Sequence, residues 1–109
     1  PFQLRPATPG DLDDLVRLIA ALAEYERLTH LLDVTPDKLQ PHLFGARPVA
    51  EALVAELDEA EGGAIVGFAL FFTNFSTFLA QPGLYLEDLF VEPAHRSLGI
   101  GKALLQALG

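Results

Sequence analysis

A glycine-bearing turn between an apolar strand and a helix constrains this chain more than any other feature. Arg96-Ser97-Leu98-Gly99-Ile100-Gly101 follows the nearly continuous apolar run Leu84 to Val91 and opens a helical segment that continues through Lys102. A turn of this kind leaves backbone N–H groups unpaired beside the positive end of a helix dipole, which makes an anion seat. Gly99 and Gly101 bring bare backbone close to a ligand's oxygens, and Arg96 adds a fixed charge. The pattern predicts a phosphorylated cofactor.

Two common phosphate-binding motifs do not fit. A Walker A loop needs a glycine at position 96 and Ser or Thr after Lys102, where this chain has Arg96 and Ala103. A dinucleotide fingerprint needs a small residue three positions after Gly101, where Leu104 stands, and no later strand ends in a ribose-binding acid. A bare G-x-G is otherwise mostly an ordinary turn and helix start, so its meaning rests on context.

That context is spread over the chain. Leu84-Tyr85-Leu86-Glu87-Asp88-Leu89-Phe90-Val91-Glu92-Pro93 leads into the R-x-x-G-x-G loop, preceded by Phe2-Gln3-Leu4-Arg5-Pro6, Leu22-Ala23-Glu24-Tyr25-Glu26 and Ile65-Val66-Gly67-Phe68-Ala69. In order and spacing these segments resemble the GNAT superfamily of N-acetyltransferases, and within it the spermidine/spermine and thialysine branch. Asn74-Phe75-Ser76-Thr77-Phe78 leans to the thialysine type. The resemblance implies an α/β (α+β) fold with a mixed, mostly antiparallel sheet flanked by helices. It also implies acetyl-coenzyme A as cosubstrate, without a metal, and transfer of acetyl to the primary amine of a small polyamine or lysine-like molecule. A non-catalytic coenzyme A-binding module, or a fragment needing a second polypeptide, is the rival expectation.

The resemblance assigns residues. The cofactor set is the backbone of Leu89, Phe90 and Val91, which pairs with the pantetheine arm, and the pyrophosphate loop Arg96, Ser97, Leu98, Gly99, Ile100, Gly101 and Lys102. A backbone N–H near Phe90 is expected to steady the thioester oxygen. Amine transfer needs a neutral nucleophile, and the acids at Glu87 and Asp88 match amine-site positions. Glu87 is expected as base or water-holder and Asp88 as a contact to the cationic substrate. Adjacent residues of a regular strand point to opposite faces, so only one of the pair is expected in a given cleft. Alone, such a pair is more often a solvated strand end. Tyr25 and Glu26 match positions on the amine side, although a tyrosine at a helix end is as often packing. Phe75 to Phe78 are candidates for a substrate-side loop, with plain packing equally open.

The rest of the sequence bounds these readings. At 109 residues the chain is one domain at most, and 50% apolar with 20% charged residues it is a folding composition. Fifteen acidic against 7 basic residues give a net charge of -8, which favours a cationic partner and disfavours nucleic acid and anionic membranes. The absence of cysteine removes disulfides and thiolate zinc sites and accords with a cytoplasmic location. His30, His42 and His95 share no metal-ligand spacing. Family domains continue beyond the cofactor helix into a part that holds the thiolate's proton donor. Residues 1–109 are therefore expected to be a single domain incomplete at its C-terminus, with homodimerisation as the family habit.

Local patterns predict the elements. Residues 2–6 read as a strand, and Thr8-Pro9-Gly10-Asp11 caps a helix from Pro9 to about Arg27. Thr35-Pro36-Asp37 opens a second helix through Leu43. Val49 to Leu57 and Ala64 to Thr73 read as an antiparallel hairpin, and Asn74 to Gly83 as a loop.

Overall fold

The computed structural model describes all 109 residues. The chain runs β1 (Phe2–Pro6), α1 (Leu12–Tyr25), α2 (Pro36–Phe44), β2 (Glu51–Leu57), β3 (Ile65–Ser76), β4 (Gln81–Val91) and α3 (Ile100–Leu108). The four strands form one sheet in the order β1-β2-β3-β4, with every pair antiparallel. Within these residues the sheet therefore has no parallel pair, and β4 is an edge strand. No helix is long and apolar enough to cross a membrane.

Period-two alternation divides the core between the two faces of the sheet. Ala52 and Val54 of β2 join Leu15 and Leu18 of α1, Leu43 of α2, Phe68 and Phe90 on one face. Ala55 and Leu57 join Val66, Ala69, Val91, and Ile100 and Leu104 of α3 on the other. The result is three layers, α1 and α2 over the sheet and α3 beneath it. Gly67 lets the layers close: a Cβ there would lie 3.2 Å from the Phe90 carbonyl oxygen and 3.4 Å from Ile100 Cγ2.

Several boundaries differ from the sequence expectation, each for a physical reason. The first turn, Pro9–Asp11, is 3₁₀, and α1 stops at Tyr25, with Arg27 in the left-handed region at φ 58°. Of residues 74–83 only 77–80 form a turn: β3 continues to Ser76, β4 begins at Gln81, and Phe75 pairs with Pro82. Proline is tolerated there because β4 has a free edge, where a missing N–H breaks no ladder. Phe75 and Phe78 stand exposed on this hairpin and line neither cleft described below. Between β4 and α3 lies an additional 3₁₀ segment, Pro93–Leu98, rather than a bare turn.

One buried charge ties β1, β2 and the start of α1 together. Asp11 is buried and accepts both terminal nitrogens of Arg5, at 2.7 and 3.0 Å, together with the Thr8 backbone N–H at 2.8 Å and the Thr8 hydroxyl at 3.1 Å. Arg5 also faces Glu56 of β2 at 3.3 Å. The Arg5 guanidinium holds the Asp11 carboxyl below its ordinary value of 3.8, helped by Thr8 and opposed by burial. A depressed carboxyl pKa contributes stability that is present above the unfolded value and lost as pH falls through the folded one. Asp11→Asn is expected to destabilise the protein by about 2 kcal/mol at neutral pH, with the gap to the unsubstituted protein closing as pH falls below the ordinary value. Urea unfolding across a pH series measures both.

Candidate functional site

The site is built along β4 by one extra residue. Pairing runs Leu70 with Asp88 and then Phe71 with Leu86, so Glu87 has no partner and forms a β-bulge. The bulge breaks the alternation of side chains. Leu86, Leu89 and Val91 pack toward α3, whereas Glu87 and Asp88 both line a cavity against α1. The expectation that these two acids face opposite ways is thereby corrected. The spacing of Leu86 and Leu89, three apart on one face, is the sequence signal of the bulge, and the surrounding apolar run conceals it.

That cavity, of about 320 Å³, is walled by Ile19, Leu22, Ala23 and Glu26 at the end of α1, by leucines of the connector after it, and by Glu87 and Asp88. Three carboxylates thus line a cavity whose other walls are apolar. Burial, then the charges of Glu87 and Glu26, raise the half-buried Asp88 carboxyl above its ordinary value. Proton affinity is thus raised at Asp88.

A second cleft, of about 410 Å³, adjoins the first, and Leu22 lines both. Its walls are Tyr25, Leu89, Phe90, Val91, Arg96, Gly99, Gly101 and Lys102. Gly99 is left-handed at φ 80° and forms the cap of α3, whose N-terminus no side chain caps. First-turn N–H groups are then free for an anion. The space before both glycines is open: a Cβ at Gly99 would meet nothing within 4 Å, and one at Gly101 only Leu89 and Val91 at 3.9 Å. Arg96 donates from Nε to the Val91 carbonyl at 2.9 Å, with its guanidinium carbon 5.0 Å from the Tyr25 ring centroid and 5.4 Å from that of Phe90.

The expected cofactor set is therefore brought together with three exceptions. Ser97 and Leu98 are exposed and outside the cleft, and the Ile100 side chain, at the start of α3, is wholly buried in the core against the sheet, leaving only its backbone available. Tyr25, expected on the amine side, lines the glycine-loop cleft and not the carboxylate cavity. Glu26 does line the carboxylate cavity. No group of three or more His, Asp or Glu converges as metal ligands.

The raised Asp88 carboxyl yields a stability prediction opposite in sign to that for Asp11. A carboxyl raised on folding contributes stability below its unfolded pKa and loses it as pH rises through the folded value. Asp88→Asn is expected to raise the melting temperature at neutral pH by a few degrees, an advantage that disappears below the ordinary value of 3.8. Calorimetry at neutral and acid pH checks it.

Comparison with known proteins bears on the family and the fold. The acetyltransferase (GNAT) family profile matches residues 13–108. The chain is 36% identical over 107 residues to thialysine N-epsilon-acetyltransferase of Bos taurus, covering 94% of this chain and 62% of that protein. It is 34% identical over 110 residues to the human spermidine/spermine N(1)-acetyltransferase-like protein 1, covering 98% of this chain and 16% of that one. The crystal structure of ribosomal-protein-alanine N-acetyltransferase from Brucella melitensis biovar Abortus 2308 superposes with a TM-score of 0.77 at 26% identity, over 99% of this chain and 69% of that one. With sequence and fold in agreement over nearly its whole length, the chain belongs to the acetyltransferase (GNAT) family.

Proposed function

We propose that the protein of which this chain forms the whole or a part transfers acetyl from acetyl-coenzyme A to the primary amine of a small polyamine or lysine-like molecule. The observation that carries this reading is the adjacency of two unlike clefts. An open glycine cradle with Arg96 and Lys102 shares Leu22 with a cavity of three carboxylates. Phosphates suit the first and ammonium groups the second. The names of the relatives, acetyltransferases of thialysine and of spermidine/spermine type, support the amine class.

Each residue then has a task. Arg96, Lys102 and the backbone at Gly99 and Gly101 hold the pyrophosphate, and the outer edge of β4 at Leu89 to Val91 offers backbone groups to the extended arm, with the Val91 carbonyl already accepting from Arg96. When bound, the cofactor supplies the acetyl group as a thioester. A backbone N–H near Phe90 steadies its carbonyl oxygen as charge develops. Asp88, with its raised proton affinity, is the better acceptor for the amine's proton, directly or through water, and exposed Glu87 holds the cation with Glu26. On this reading the parts expected of Glu87 and Asp88 are exchanged. A homodimer, a cytoplasmic location and the lack of nucleic-acid or membrane partners belong to the same reading, the last in keeping with the net charge of -8.

Two experiments test it. Coenzyme A thiol release with a panel of diamines, thialysine and peptide amines is expected to select dications, with Asp88→Asn lowering kcat about 100-fold or more and Glu87→Gln acting mainly on the amine KM. An unchanged kcat in Asp88→Asn contradicts its assigned part. Gly101→Leu is expected to fold normally, since no close contact forbids a side chain there, and to weaken acetyl-coenzyme A binding at least about tenfold in calorimetric titration, because its side chain fills the cradle.

A further inference from the structure

Arg96 is held more elaborately than a loop arginine that merely faces a phosphate needs to be. One of the five guanidinium N–H donors is engaged by the Val91 carbonyl, which fixes the side chain's direction. The flat cation then lies near two rings, Tyr25 at 5.0 Å and Phe90 at 5.4 Å. Both distances are within the range of cation–π attraction. Phe90 is buried in the core below α1 and is a rigid floor. Tyr25, 67% exposed, is the ring that solvent does not force into place. An aromatic ring left this open at the last position of α1, and set against a cation, calls for a reason other than core packing.

We infer that Tyr25 is a positioning residue for Arg96: its ring and that of Phe90 clamp the guanidinium so that the terminal nitrogens are presented to the pyrophosphate before the cofactor arrives. This rests on the acetyl-coenzyme A reading above and deepens it. An arginine free in solution loses much rotamer freedom on binding, and an arginine ordered in advance loses little. Tyr25 thereby acts on cofactor affinity through Arg96 and has no direct part in holding the amine. The ring performs this task and the hydroxyl does not.

The clamp is read first in the ligand-free intact protein, from the Arg96 Nε–H resonance by NMR. Ring-current shift and slowed exchange of that proton are expected to persist in Tyr25→Phe and to be lost in Tyr25→Leu. A resonance unmoved by Tyr25→Leu overturns the clamp, whatever the cofactor does. In calorimetric titration with acetyl-coenzyme A, Tyr25→Leu is expected to weaken binding about fivefold and Tyr25→Phe to bind as the unsubstituted protein does. Added to Arg96→Met, Tyr25→Leu is expected to change affinity no further, while the amine KM stays constant throughout. A full Tyr25→Leu effect in the Arg96→Met protein, or a Tyr25→Phe variant as weak as Tyr25→Leu, overturns the inference. Failure of the unsubstituted protein to bind acetyl-coenzyme A overturns the functional reading instead, and the NMR comparison still decides the clamp.

Discussion

The one-residue bulge at Glu87 is the constraint on which the rest of the site depends. A regular β4 would send Glu87 toward α3 and leave Asp88 as the only acid facing α1. The extra residue keeps Leu89 and Val91 in the core under the sheet, yet turns two carboxylates to the same side. The bulge therefore serves packing and, on the proposed function, chemistry at once. It falls where bulges commonly fall, on an edge strand beside a cavity.

The C-terminal turns of α1 complete what the bulge begins. Leu22 separates and borders both clefts, Tyr25 faces the glycine loop, and Glu26, the next residue, faces the carboxylates. A single helix end is thus read by both ligands on the proposed function. What holds that helix in place is electrostatic as well as apolar. Arg17 donates to the Ile65 carbonyl at 2.8 Å and meets Glu92 at 3.0 Å, fastening the middle of α1 to β3 and to the segment before the loop. The Arg5–Asp11 pair fastens its start.

Most of the architecture was legible because it depends on local chemistry. Thr35 accepts the Lys38 backbone N–H, as its place before Pro36 predicts, and the left-handed Gly99 does what a glycine before a helix is suited to do. The strand-loop-helix order points to a cleft at this loop, and Gly99, Gly101 and Arg96 do line one. Features set by pairing across the sheet were not legible. The bulge depends on register with β3, the long hairpin depends on β4 having a free edge that accepts Pro82, and the burial of Ile100 depends on how α3 docks. The cleft that Tyr25 lines is not legible either, because a helix end beside two clefts gives no sequence clue to which one a given side chain enters.

On the proposed function the two clefts are one active site. A crystal structure of the intact protein with coenzyme A and a diamine tests it most directly. The pyrophosphate is predicted on the backbone of Gly99 to Gly101 beside Arg96, the arm along the edge of β4, and an amine among Glu26, Glu87 and Asp88, within about 3–3.5 Å of where the acetyl carbon would lie. A cofactor seated elsewhere, or a diamine bound away from those carboxylates, would contradict it.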